Sequence, residues 1–90
     1  MHESSLVPGL VEAGVAAVES AGATSARRVV IRVGALSPMS PQHLADHLPT
    51  AMEGTVLEGA TVVVAASRDV RDANALDVVL ESIDIDETET

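Results

Sequence analysis

The chain has no phenylalanine, tryptophan or tyrosine, so any core it builds must come from valine, leucine, isoleucine, alanine and methionine. Each larger aliphatic yields about 1.5–3 kcal/mol when fully buried, and the many alanines yield much less. Ninety residues allow one domain with a modest core. Stability is therefore expected to be marginal and open to support from a partner or a second copy.

Five arginines stand against 14 acidic residues, a net charge of −9. An acidic chain without aromatic platforms is a poor nucleic-acid binder, and the same charge argues against anionic membrane surfaces. It favours cations or basic partners, and solubility is the plainer use of it. There is no cysteine, which removes disulfides, thiolate metal sites and a cysteine nucleophile. No basic region leads into a long apolar run, so neither a signal peptide nor a membrane span is expected, and the default location is cytoplasmic.

Read along the chain, Ser4 and Ser5 suit the cap of a first helix, with Pro8 in its first turn. Leu6, Leu10, Ala13, Ala17 and Ala21 recur at helical spacing, and Gly22 is a stop. Gly9 and Gly14 weaken such a helix. In "ARRVVIRV", Val29, Ile31 and Val33 alternate with Val30 and Arg32, the pattern of a strand with one apolar face. Ser40 and Pro41 open a second helix whose stripe is Leu44, Leu48, Ala51 and Met52. Pro49 should kink or interrupt it, and Gly54 can end it.

"ATVVVAAS" is a second strand and "LDVVLESIDI" a third, whose apolar parity slips near Ser82 and predicts a bulge. The expected fold is a two-layer α/β (α+β) domain over residues 1–86, with three strands packed against two helices. Its order is helix-strand-helix-strand-strand, with an acidic tail at 87–90. A strand–helix–strand crossover is right-handed if its strands are parallel. The last two strands are expected to pair as a hairpin across residues 67–75.

The start of the chain, "MHESSL", carries the candidate chemistry. A deprotonated α-amine, the amide nitrogen of His2 and the imidazole Nδ1 of His2 close a five- and a six-membered chelate ring. Met1, His2 and Glu3 can thus supply four corners of a square, Glu3 through its amide nitrogen or its carboxylate. Square-planar nitrogen coordination selects Ni(II) or Cu(II) over Zn(II), Mg(II) and Ca(II). Copper binds such ligands more tightly, so nickel preference rests on availability and delivery. A bulky histidine at position 2 disfavours removal of Met1.

Other candidates are weaker. His43 and His47 stand at i, i+4, a spacing that lets two imidazoles meet one metal. No third ligand is visible, and an exposed pair flanking Leu44 and Leu48 is the preferred reading. Asp69, Asp72 and Asp77 lack the spacing, glycine and terminal glutamate of a calcium loop. Arg27, Arg28 and Arg32 lack a glycine-rich phosphate loop and more simply offset the acidic surface. No Ser-His-Asp set can be named, and no lysine or cysteine serves as nucleophile, so an enzyme is not expected.

"MHESSL", "RVVIRVGALSPMSPQHL", "EGTVLEGATVVV" and "LESIDID" occur in one order and spacing. By these segments the chain resembles the nickel-binding domain of the HypA family, the hydrogenase and urease nickel incorporation proteins. The resemblance covers roughly residues 1–66 and 76–86. It implies a metallochaperone that receives Ni(II) at Met1, His2 and Glu3 and passes it toward a nickel-enzyme precursor, usually with a HypB-type GTPase. A monomer or weak homodimer is expected. Ordinary members insert a zinc domain with two CxxC pairs between the last two strands, where this chain has only a short loop at 67–75, so no zinc is expected. The alternative is a degenerate member that works as an interaction module without metal.

Overall fold

A computed structural model describes residues 3–85. Two helices and three strands follow in the expected order: α1 (Glu3–Ser20), β1 (Ala26–Val33), α2 (Pro41–Met52), β2 (Thr61–Ala66) and β3 (Val78–Ile85). The expected acidic tail at 87–90 lies outside the described residues.

β1 is the middle of the sheet. It pairs parallel with β2, from Arg28↔Thr61 to Val33↔Ala66. It pairs antiparallel with β3, from Ala26↔Ile85 to Val33↔Val78. The strand order is β2-β1-β3, so the expected hairpin between the last two strands does not form. The reason is that β1 buries Val29, Ile31 and Val33 on one face and needs both of its edges hydrogen-bonded. The parallel crossover through α2 supplies one edge, and β3 closes the other. The ladder between β1 and β3 skips Glu81 as the partner of Ile31 passes to Leu80. This is the bulge expected near Ser82, and it lets Val78 and Leu80 share the core side with Ile83 and Ile85.

Both helices pack on that side of the sheet, α1 against β3 and α2 against β2, with the helices also in contact. The core holds Ile31, Leu44, Leu48, Met52, Leu57 and Val18 at its centre. α2 follows the sequence closely. The Ser40 hydroxyl accepts from the His43 amide at 3.3 Å, Pro41 begins the helix, and Leu44, Leu48 and Met52 are buried. Pro49 does not interrupt it, because the helix continues to Met52. The lost hydrogen bond falls in the last turn, and burial of Leu48 and Met52 outweighs it.

α1 differs in two ways. It starts at Glu3, so Ser4 and Ser5 lie within it and Pro8 stands at its sixth position. Its buried stripe is Leu10, Val11, Gly14 and Val18, while Ala13, Ala17 and Ala21 are exposed. Branched valines have more apolar area to lose than alanines, so they take the core-facing side. Gly14 is not a weak point. A Cβ there would lie 2.8 Å from Leu57 Cδ1 and 3.3 Å from Ile83 Cδ1, so the missing side chain lets α1 sit close to the sheet.

The "EGTVLEGA" segment is a turn that delivers Leu57 to the core. The Thr55 hydroxyl donates to the Met52 carbonyl at 2.7 Å and accepts from the Leu57 amide at 3.0 Å. The Glu58 carboxylate accepts from the Gly54 amide at 3.1 Å. The connection from β2 to β3 then crosses the C-terminal end of β1. The Ser67 amide donates to the Val33 carbonyl, the Gly34 amide to Asp77 and the Leu36 amide to Ala75. Gly34 is pressed against the carbonyls of Asn74 and Ala75, where any Cβ would collide with backbone. A Gly34→Ala chain should therefore lose about 1–3 kcal/mol of stability, measured as a lower urea midpoint with an unchanged slope.

Candidate metal centre

Glu3 is the first residue of α1. Met1 and His2, together with the side chain of Glu3, lie outside the described residues. The helix that follows them runs beside an open apolar groove of roughly 630 Å³. Leu6, Leu10 and Ala13 form one wall; Met39, Leu76 and Leu80 are among the residues of the other. Leu76, 67% exposed, stands at its edge. Leu6, Leu10 and Ala13 of the expected stripe thus line this groove, Leu10 while also packing in the core, and Ala17 and Ala21 line a smaller one against Ile83 and Ile85.

Among the described residues no group of three or more His, Cys, Asp or Glu side chains is placed to hold a metal ion. The acidic residues have other work. Asp69 and Asp72 fold the connection between β2 and β3: their carboxylates accept from the amides of Arg71 and Asn74, each at 3.0 Å. These are side-chain turns of the kind that aspartate favours, which explains the acidic residues there without a calcium ion.

Arg28 and Arg32 lie on the sheet face opposite the helices. Arg28 meets Asp84 at 3.4 Å, and Arg32 reaches both Asp72 at 3.9 Å and Glu81 at 3.7 Å. Their charge offsets acidic neighbours, as the sequence suggests. His43 and His47 are exposed on α2, with ring centroids 4.2 Å apart and the rings tilted by 42°. They flank the Leu44 and Leu48 stripe as expected, and the structure adds that the rings touch.

A family model described as "Hydrogenase/urease nickel incorporation, metallochaperone, hypA" matches residues 1–71. The chain belongs to the HypA family. It is 33% identical over 64 residues to the hydrogenase maturation factor HypA of Methanobrevibacter smithii, covering 71% of this chain and 51% of that protein. It is 34% identical over 64 residues to the HypA of Deinococcus radiodurans, covering 71% and 53%. The HypA of Methanothermobacter thermautotrophicus is 33% identical over 60 residues, covering 67% and 49%. This HypA chain thus spans about half the length of the curated relatives it matches.

Several residues of the HypA-like segments have structural duties. Ser40 and Pro41 start α2, Thr55 and Glu58 build the turn under Leu57, and Gly34 admits the crossing connection. Leu57 and Val18 are core residues that no pattern in the sequence marks. Leu57 sits in a short turn with no periodicity to reveal it, and Val18 is out of phase with the alanine series. No described helix is long and apolar enough to cross a membrane.

The ion pairs of Arg32 are half-exposed, with 38% of its side chain open to solvent. An Arg32→Gln chain should therefore lose no more than about 1 kcal/mol, and the loss should shrink further in high salt. Urea titrations at two ionic strengths measure both.

Proposed function

We propose that the chain is a nickel metallochaperone that binds Ni(II) through Met1, His2 and Glu3 and hands it to the precursor of a hydrogenase or urease. The observation that carries this reading is membership of a family described by nickel incorporation, with the match running from residue 1. The start of α1 at Glu3 supports it chemically. The first amide N–H groups of a helix have no intrahelical acceptor. A metal can therefore take the amide nitrogen of Glu3 without breaking a helical hydrogen bond. The positive end of the helix dipole also favours an anionic ligand there, so the field of α1 assists deprotonation of the amide nitrogens.

Four ligands of this kind are neutral amine, anionic amide, neutral imidazole and a final anion from Glu3, which together cancel the charge of Ni(II). Binding must release protons from the amine and the amide. The proteins that load and receive the metal are a HypB-type GTPase and a nickel-enzyme precursor. No thiolate zinc site accompanies the nickel, because none of the 90 residues is cysteine and the β2–β3 connection closes directly over β1. The chain acts as a carrier in the cytoplasm and performs no catalysis of its own.

A second reading is favoured by the apolar groove beside α1, with Leu76 exposed at its edge. In it, the chain is a degenerate HypA relative that works as an interaction module without metal. Retained binding of the GTPase by a chain with no nickel affinity would support this reading over the first.

Isothermal titration of the untagged chain with Ni(II) should give one ion per chain, with heats that depend on the ionisation enthalpy of the buffer. His2→Ala should weaken binding by more than the 10–100-fold that is typical of losing an outer-shell partner. The bound ion should show the d–d band of a four-coordinate, diamagnetic centre. Unchanged affinity in the His2→Ala chain removes the N-terminal site.

A further inference from the structure

We infer that His43 and His47 form a second, solvent-facing metal site that holds a hydrated divalent transition ion, separate from the N-terminal chelate. The i, i+4 spacing on α2 places both imidazoles on one side of the helix. Their ring centroids are 4.2 Å apart and the ring planes are tilted by 42°.

That separation has a chemical meaning. A metal–imidazole bond is about 2.1 Å, which puts a ring centroid about 3.2 Å from the ion, and two such rings at right angles are then about 4.5 Å apart. The observed 4.2 Å is close enough for the two rings to occupy adjacent positions on one ion, and both side chains are exposed and free to turn a ring nitrogen toward it.

The surroundings leave both rings available. Among the described residues, no hydrogen bond or ion pair involves either imidazole, although the His43 backbone amide bonds to Ser40. Asp46, which lies between them in sequence, is turned to Gln42, whose amide donates to its carboxylate at 2.9 Å. The site therefore has two imidazole ligands and fills its other positions with water. Imidazole suits nickel, copper and zinc, and the net charge of −9 raises the local concentration of any of them. Two ligands on an exposed helix make a labile site that exchanges its ion readily. It lies on the surface of α2, whereas the N-terminal chelate precedes α1.

The test uses hydrated Ni(II) as probe, on the full chain carrying His2→Ala, which takes the imidazole out of the N-terminal chelate. Imidazole resonances are followed by NMR as the ion is added. His43 and His47 should broaden together at the same nickel concentration, because a six-coordinate Ni(II) ion is paramagnetic. His47→Ala should weaken nickel binding at His43 by about 10-fold or more, through loss of the second tethered ligand. His47→Gln should do the same, and since residue 47 is exposed, far-ultraviolet dichroism should stay unchanged in both. Broadening of the two rings at different concentrations, broadening of neither, or unaltered binding at His43 in the variants overturns the site. The unaltered chain reports the N-terminal chelate independently, through its diamagnetic band, so either site can fail without the other.

Discussion

The structure hangs on β1. It is the middle strand, paired on both edges, and its core-facing residues Val29, Ile31 and Val33 are at most 3% exposed. With no aromatic side chain to fill space, the protein depends on close approach of many small and branched groups. Ile31 and Leu44 reach complete burial, and dispersion contacts of this kind are individually weak and collectively large. Each element that touches β1 has a device that shortens the distance. Gly14 brings α1 close to the sheet, Gly34 lets the β2–β3 connection cross against its backbone, and the Thr55 turn seats Leu57.

The same economy explains why the sheet is covered on one side only. Two short helices suffice for a sheet of three strands, and the open face carries Arg28 and Arg32 with acidic partners. α1 shares its sides between two tasks. Its valines, Leu10 and Gly14 pack in the core, and Leu6 and Ala13, with the edge of Leu10, line the groove shared with Met39, Leu76 and Leu80. Because α1 begins directly at Glu3, any metal held by the leading residues is tied to a helix that the core fixes in place. A rigid support of that kind is what a metal-delivery protein needs if its cargo is to meet a partner in a set orientation.

Much of the candidate chemistry was legible in the sequence because it is local. The proposed chelate of Met1, His2 and Glu3 is argued from bond connectivity alone and lies outside the described residues, and the His43–His47 spacing follows from helical periodicity. Ring contact was not legible, since rotamers depend on neighbours such as Asp46, which is drawn away by Gln42. The acidic loop shows the opposite case. Its aspartates look like possible cation ligands in a row of letters, and the fold commits Asp69 and Asp72 to turns.

The order of elements, the start of α2 at Ser40 and Pro41, the apolar face of β1 and the bulge beside Ser82 were set by the sequence alone. Each depends on a pattern within one short segment: a cap, an alternation, a slip in parity. Tertiary structure alone decided that β3 pairs with β1, that valines rather than alanines of α1 face inward, and that α2 runs through Pro49. Those outcomes weigh distant groups against one another, here the burial of Leu48 and Met52 against one lost hydrogen bond, or both edges of β1 against a local hairpin. A sequence records which contacts its segments can make, and only the packed molecule settles which of the competing ones are made together.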